Sequence, residues 1–262
     1  PCGEAAEVVV TIALDMGDAE GGHDGEVLEE GDGPDVGEIF AGERHVGSVT
    51  DRVADLCPTE STCSLRLGIK MGAPEAYAGL PTADIVLLTH GHGDHLDPQT
   101  LNGLDLRQAI VVMPQAVADE VGERYGHAQT IMDNGEKVHT DAGVGIHAVP
   151  MYNLPPSADA YHPKGWGNGY VLTLADKRVY ISGDTQGIEE MRDLKDIDVA
   201  FVCMNLPYTM DVEEAADAVA DFAPAVVYPY HYRGQDTERF RELVNRREPA
   251  TEVRLRDWYK PL

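Results

Sequence analysis

Basic residues are scarce in this chain: 20 Lys and Arg stand against 46 Asp and Glu, a formal charge of -26 over 262 residues. No run of cations is longer than Arg246-Arg247. A polyanion would meet repulsion wherever it approached, so nucleic acid is not an expected partner. Cysteine is also sparse. Cys2, Cys57, Cys63 and Cys203 lack the paired spacing of a structural zinc site and the density of a disulfide scaffold. They read as thiols, with a Cys57 to Cys63 bridge as the alternative in an oxidising compartment. Long apolar runs are missing too. No window approaches the roughly 18 unbroken apolar residues a spanning helix requires, and Pro1-Cys2-Gly3-Glu4 shows no basic region leading into a hydrophobic one. The expectation is a chain without a membrane span, cytoplasmic by default, with export before residue 1 left open.

What is present is 43% hydrophobic residues, enough for one large core or two modest ones. The charge is unevenly spread, since 13 of the 46 acids precede Arg44, the first basic residue. Residues 1–43 are expected to be an acidic, poorly ordered segment, because a Gly, Asp and Glu mixture offers too little apolar surface to offset ordering entropy. Only 4–12, around Val8-Val9-Val10, has the character of a strand. Residues 44–262 are expected to form the folded domain, although no period of 2 or 3.6 is sustained between 51 and 77.

From residue 81 onward the pattern becomes regular. Short apolar runs predict strands over 84–88, 109–113, 145–150, 170–175, 178–182, 199–204 and 225–230. Amphipathic stretches predict helices over 98–103, 114–125, 188–194, 212–222 and 237–246. Asp211 suits the N-cap of the fourth, with Glu213 and Glu214 in its first turn. Alternating strands and helices, plus adjacent hairpin strands at 170–182, predict an α/β architecture with a mixed sheet covered by helices.

The chemistry concentrates at Thr89-His90-Gly91-His92-Gly93-Asp94-His95, directly after the first of these apolar runs. Three histidines and one carboxylate within six residues are costly to bury without a ligand, and the interleaved glycines let the backbone turn tightly. Imidazole nitrogens with a carboxylate oxygen suit zinc, and also iron or manganese. Asp184, in Ile-Ser-Gly-Asp-Thr, and His231, in Tyr-Pro-Tyr-His-Tyr, each follow an apolar strand, where open sheets place their sites. Alone, Asp184 reads as a turn residue and His231 as an edge histidine. Together with the first motif they read as a dinuclear cage.

In identity, order and spacing these residues resemble the metallo-beta-lactamase fold superfamily, over roughly residues 81–258. Ala148-Val149-Pro150-Met151-Tyr152-Asn153, His162-Pro163-Lys164-Gly165 and Met204-Asn205-Leu206-Pro207-Tyr208-Thr209-Met210 look like its branch of metal-dependent hydrolases related to ascorbate-6-phosphate lactonase. The resemblance implies a four-layer αββα sandwich. It makes His90 and His92 ligands of a first metal, Asp94, His95 and His231 ligands of a second, and Asp184 the bridge. The cofactor implied is Zn2+, one or two per chain, with Mn or Fe as other occupants. The family's first site takes a further His shortly after the strand that here ends at Pro150. Asn153 stands at that place, and His162 is the nearby residue able to complete the site, a surface or substrate-contacting role being its alternative. The opening hairpin of the family is matched only in its first half, by 44–50, and 51–72 is expected to supply no equivalent strand.

The activity implied is hydrolysis of a small ester, lactone or phosphodiester by a metal-activated hydroxide, with Asp94 and Asp184 holding and orienting it. Asn153, His162, Lys164, Asn205 and Tyr208 are candidate substrate contacts, Lys164 and Tyr208 having the alternative of ordinary loop residues. Two other readings keep the fold: an iron-containing redox protein, and a non-catalytic metal-binding relative. The expected partner is a small-molecule substrate, and a homo-oligomer is compatible with the chain.

Overall fold

The computed structural model describes residues 82–256 and, before them, the short strands β1 (Val10–Ile12), β2 (Leu14–Asp15), β3 (Ser48–Val49) and β4 (Leu67–Lys70). Strand β1 joins β5 (Ile85–Leu87), β6 (Ile110–Met113) and β7 (Ala128–Ile131) in a parallel sheet of order β1-β5-β6-β7. A run such as Ile85-Val86-Leu87 is apolar on both faces because both faces are covered. Val86 and Val111 pack against Leu101 of α1 (Pro98–Gly103) and Val117 and Val121 of α2 (Gln115–Val121). Ile85, Leu87 and Val112 point the other way, into the larger core.

That core is shared with a seven-stranded sheet: β8 (Lys137–His139), β9 (Val144–Met151), β10 (Gly167–Leu174), β11 (Lys177–Ile181), β12 (Val199–Cys203), β13 (Val226–Tyr230) and β14 (Glu252–Val253). Its order is β14-β13-β12-β11-β10-β9-β8. Pairing is antiparallel from β8 to β11 and parallel from β11 to β14. The same core takes in Met191 of α3 (Glu189–Arg192), Ala216 and Phe222 of α4 (Val212–Phe222), and Phe240 of α5 (Thr237–Arg247). Helices, sheet, sheet and helices make the four-layer α/β sandwich that the resemblance implied. No helix among the described residues is long and apolar enough to cross a membrane.

The strands and helices expected from residue 81 onward are present, α4 capped by the Asp211 carboxylate on Glu214 N. Four features depart from expectation. Strand β4 lies inside 51–72, where no strand was expected, and pairs with β2 and β3. Strands β7 and β8 are largely solvent-facing, so their residues carry no apolar alternation to read. Strand β14 is only two residues long. Strand β10 begins at Gly167, ahead of the predicted 170, because Gly167-Asn168-Gly169 has weak strand propensity yet pairs with the end of β9. The boundary expected at residue 44 lies outside the described residues.

Candidate metal centre

Strand directions bring the ligands together. Strands β9, β11, β12 and β13 run the same way, so their C-terminal ends share one rim of the larger sheet, and β10 starts there. The chain leaving β5 meets this rim. Asn168 N donates to Thr89 O (2.9 Å) and the Tyr170 hydroxyl donates to Leu88 O (2.8 Å), binding the loop of one sheet to a strand of the other. Glycine is required at the contact. A Cβ on Gly167 would lie 2.9 Å from Thr89 O and 3.0 Å from His90 Cβ.

Past Thr89 the backbone turns, His95 N and Leu96 N both donating to His92 O at 2.8 Å. Asp97 then caps α1 by accepting from Gln99 N and Thr100 N. This turn faces His90 and His95 inward, both buried, while His92 and Asp94 are partly exposed. Gly183, with φ +61°, swings Asp184 off the end of β11, where the side chain is buried. His231 leaves β13 with a left-handed φ of 48°, unusual for a non-glycine residue, and is also buried.

The side chains converge. Asp184 Oδ1 is 3.4 Å from His95 Nε2, and Oδ2 is 3.2 Å from His231 Nε2 and 3.5 Å from His162 Nε2. Asp94 Oδ2 is 3.6 Å from His231 Nε2 and 3.7 Å from His95 Nε2. Ligand atoms of three overlapping groups lie within 4.8 Å of one another: His90, His92 and His162; His90, His95 and Asp184; Asp94, His95 and His231. Each of the six ligands expected from the sequence therefore lies in the cluster. His162 supplies the imidazole beside His90 and His92 that Asn153, at the family's usual place, does not.

Protonation favours a cation. Burial, followed by the neighbouring His95, pushes His90 well below the usual imidazole range. Burial likewise lowers His92 and takes His162 down to about 4. Burial alone would raise the Asp184 carboxyl, but His231 and His95 hold it well below the ordinary carboxylate range. At neutral pH these three histidines are thus lone-pair donors beside an anionic carboxylate. Nε2 of His90, Nε2 of His162 and Asp184 Oδ1 are buried without a hydrogen-bond partner. Buried polar atoms are rarely left so, and a divalent cation fits this donor set.

Thr89, which no motif singled out, has its hydroxyl 3.0 Å from His90 Nδ1 and 3.4 Å from His95 Nδ1. A hydroxyl oxygen has two lone pairs and can accept from both rings, an arrangement that leaves both Nε2 atoms for the cluster. Trp166 flanks the motif, its ring 4.8 Å from His92 and 5.5 Å from His90.

The expected substrate contacts divide. Asn205 is buried, its Nδ2 lying 3.2 Å from His231 Nε2 and its Oδ1 without a hydrogen bond. His162 is buried beside His90 and His92. Asn153 is buried against His162 and the 205–209 loop. Lys164 Nζ is taken up by Glu190 (2.7 Å) and lies over the Tyr152 ring, 4.5 Å from its centroid. Tyr208 stacks edge-on with exposed Tyr161 at 4.8 Å, and Leu154 and Leu206 are also exposed on the two loops that carry His162 and Asn205.

Comparison with known proteins identifies the family. The model of the Beta-lactamase superfamily domain matches residues 65–232. The UPF0173 metal-dependent hydrolase of Pyrococcus horikoshii is 32% identical over 206 residues, covering 70% of this chain and 88% of the relative. A candidate metal-dependent hydrolase from Parabacteroides distasonis, known from its crystal structure, is 39% identical with a TM-score of 0.63, covering 69% of this chain and 79% of the other. The metallo hydrolase Igni18 of Ignicoccus hospitalis shares the fold at 24% identity and a TM-score of 0.59, with 71% and 81% covered.

Proposed function

Because the chain belongs to the beta-lactamase superfamily, with relatives named as metal-dependent hydrolases, we propose that it hydrolyses a small uncharged ester or lactone at the centre formed by His90, His92, His162, Asp94, His95, Asp184 and His231. The observation that carries this reading is the convergence of imidazole and carboxylate groups on one point, with His90 Nε2, His162 Nε2 and Asp184 Oδ1 buried there without a hydrogen bond. His90, His92 and His162 would hold one cation and Asp94, His95 and His231 a second, with Asp184 shared. A divalent ion there supplies Lewis acidity, bringing the pKa of water toward neutrality and drawing charge from the oxygen under attack. Zinc suits the nitrogen-rich first position, and manganese or iron is compatible with the second.

The chain's own groups orient the reaction. Asp184, fixed between His95, His162 and His231, stays anionic and keeps the cluster's geometry. The Asp94 carboxylate is the more open of the two, its side chain 32% exposed against 3% for Asp184. It is placed to take the proton of an attacking water. The water oxygen bonds to the acyl carbon, the acyl C–O bond breaks, and the alkoxide released takes up the proton that Asp94 received, returning the carboxylate to its starting state. Asn205, its amide aimed at the same point, donates to the carbonyl oxygen as charge develops. Trp166 shields one side of the cluster from solvent.

An uncharged substrate is favoured over a phosphodiester. Lys164, the cation on the loop beside the centre, is already neutralised by Glu190, and the net charge of -26 repels anions. Tyr161, Tyr208 and Leu206 offer apolar contact instead. The test is elemental analysis of the purified chain followed by matched p-nitrophenyl substrates. One to two divalent ions per chain and turnover of the ester above the phosphodiester are expected, with loss in Asp94→Ala and His231→Ala. Activity that survives both substitutions would falsify the reading. Stoichiometric iron with no hydrolysis would replace it with a redox function.

A further inference from the structure

Asn153 stands where the resemblance to the superfamily implies a histidine ligand, and its bonds show what it does. Its side chain touches two backbone groups whose chemistry leaves no choice of orientation. His162 N is a donor and lies 2.8 Å from Oδ1; Tyr208 O is an acceptor and lies 2.7 Å from Nδ2. The oxygen end of the amide therefore faces His162. His162 Nδ1 is 3.2 Å from that same oxygen, which can only accept. The proton must then reside on Nδ1, and Nε2 is left as a bare lone pair, buried and without a hydrogen bond, 3.5 Å from Asp184 Oδ2. A third bond, Asn153 N to His162 O at 3.0 Å, closes the chain between the two residues and fixes the ring's distance from the cluster.

We propose that Asn153 is a positioning residue that sets the tautomer and direction of His162, making it the third imidazole of the first metal position. The role rests on the metal-centre reading above. His162 lies nine residues beyond Asn153, and Asn153 serves as its holder. Such outer partners change metal affinity by about 10–100-fold when removed.

Asn153→Asp and Asn153→Ala separate this role from a merely structural one. Aspartate keeps an oxygen for His162 but has no donor for Tyr208 O; alanine has neither. The full-length chain, stripped with chelator, is titrated with Zn2+ by calorimetry and with Co2+ by absorption. Long-range 1H-15N correlation on the wild type reports the tautomer of His162 directly. The expected results are an Nδ1-H tautomer and a loss of roughly 10–100-fold in affinity at one of two positions in Asn153→Ala. His162→Ala should lose the same position, and Asn153→Asp should bind within a few fold of the wild type. Wild-type binding in Asn153→Ala, equal loss in Asn153→Asp, or an Nε2-H tautomer would each overturn the proposal while leaving a metal centre in place. A wild-type chain that takes up no Zn2+ or Co2+ would overturn the metal-centre reading and this proposal together.

Discussion

At the scale of single residues, Thr89 governs more than its size suggests, because one hydroxyl orients both His90 and His95. Valine has nearly the same shape but cannot accept. Thr89→Val is therefore expected to fold and to bind zinc about 10–100-fold more weakly, measured by competition with a chromophoric chelator. Unchanged affinity would show that the two rings are held by the turn alone. The clustering of His90, His92, Asp94 and His95 was legible from the sequence, because three histidines and an aspartate crowded into six residues are costly to fold inward unless something binds them. Asp184 and His231 were legible by their place after apolar runs. Thr89 was not, since a threonine at a strand end carries no signal until its neighbours are known. Nor could spacing decide between Asn153 and His162; the two lie together through bonds between their backbones and side chains that no spacing reveals.

At the scale of elements, β10 carries the tightest contact. A methyl at Gly167 would fall 2.9 Å from both Thr89 O and Met151 Sδ, neither of which is a loose end free to swing aside. Gly167→Ala is expected to cost about 1–3 kcal/mol by overpacking, seen as a lower urea midpoint, and to reduce metal content because the His90 loop must retreat. Strand β9 offers a pH test away from the centre. Burial, then Lys137 and Arg178, lower His147 below its ordinary 6.5. The unfolded chain takes up that proton first, so the contribution of neutral His147 is present above pH 6.5 and is lost as the pH falls. His147→Gln should flatten the decline in thermal stability between pH ~7 and ~5; an unaltered slope would assign the acid sensitivity to other groups. Helix α4 and the inner strands could be read from the sequence because burial imposes a period. Strand β7 could not, for its ends are exposed and its middle is only half-buried.

For the whole molecule, the charge of -26 acts on every part of the fold. Like charges repel across the compact surface, and screening sets in over about 10 Å at 0.1 M salt. Thermal stability is expected to rise with sodium chloride, and a flat response would show that local ion pairs such as Arg247 with Glu213 and Asp217 already offset the excess. The alternation of strands and helices from residue 81 onward made a mixed sheet covered by helices legible, and the four-layer order came from the resemblance carried by the His90–His95 motif, Asp184 and His231. The pairing of β1 with β5 and of β2 with β4 was not, because isolated segments of two to four residues give no periodicity. The centre itself straddles two layers: His90, His92, Asp94 and His95 follow β5, whereas His162, Asp184 and His231 belong to the larger sheet and its loops. Nicking the exposed hairpin turn at Gly143 would divide the molecule into pieces that each hold part of the donor set. The shared core and the pairing of β8 with β9 still hold the halves together. Neither half is a complete chelator, however, so a cation would add a clasp between them, and the nicked molecule's resistance to separation would report its presence without any substrate at all.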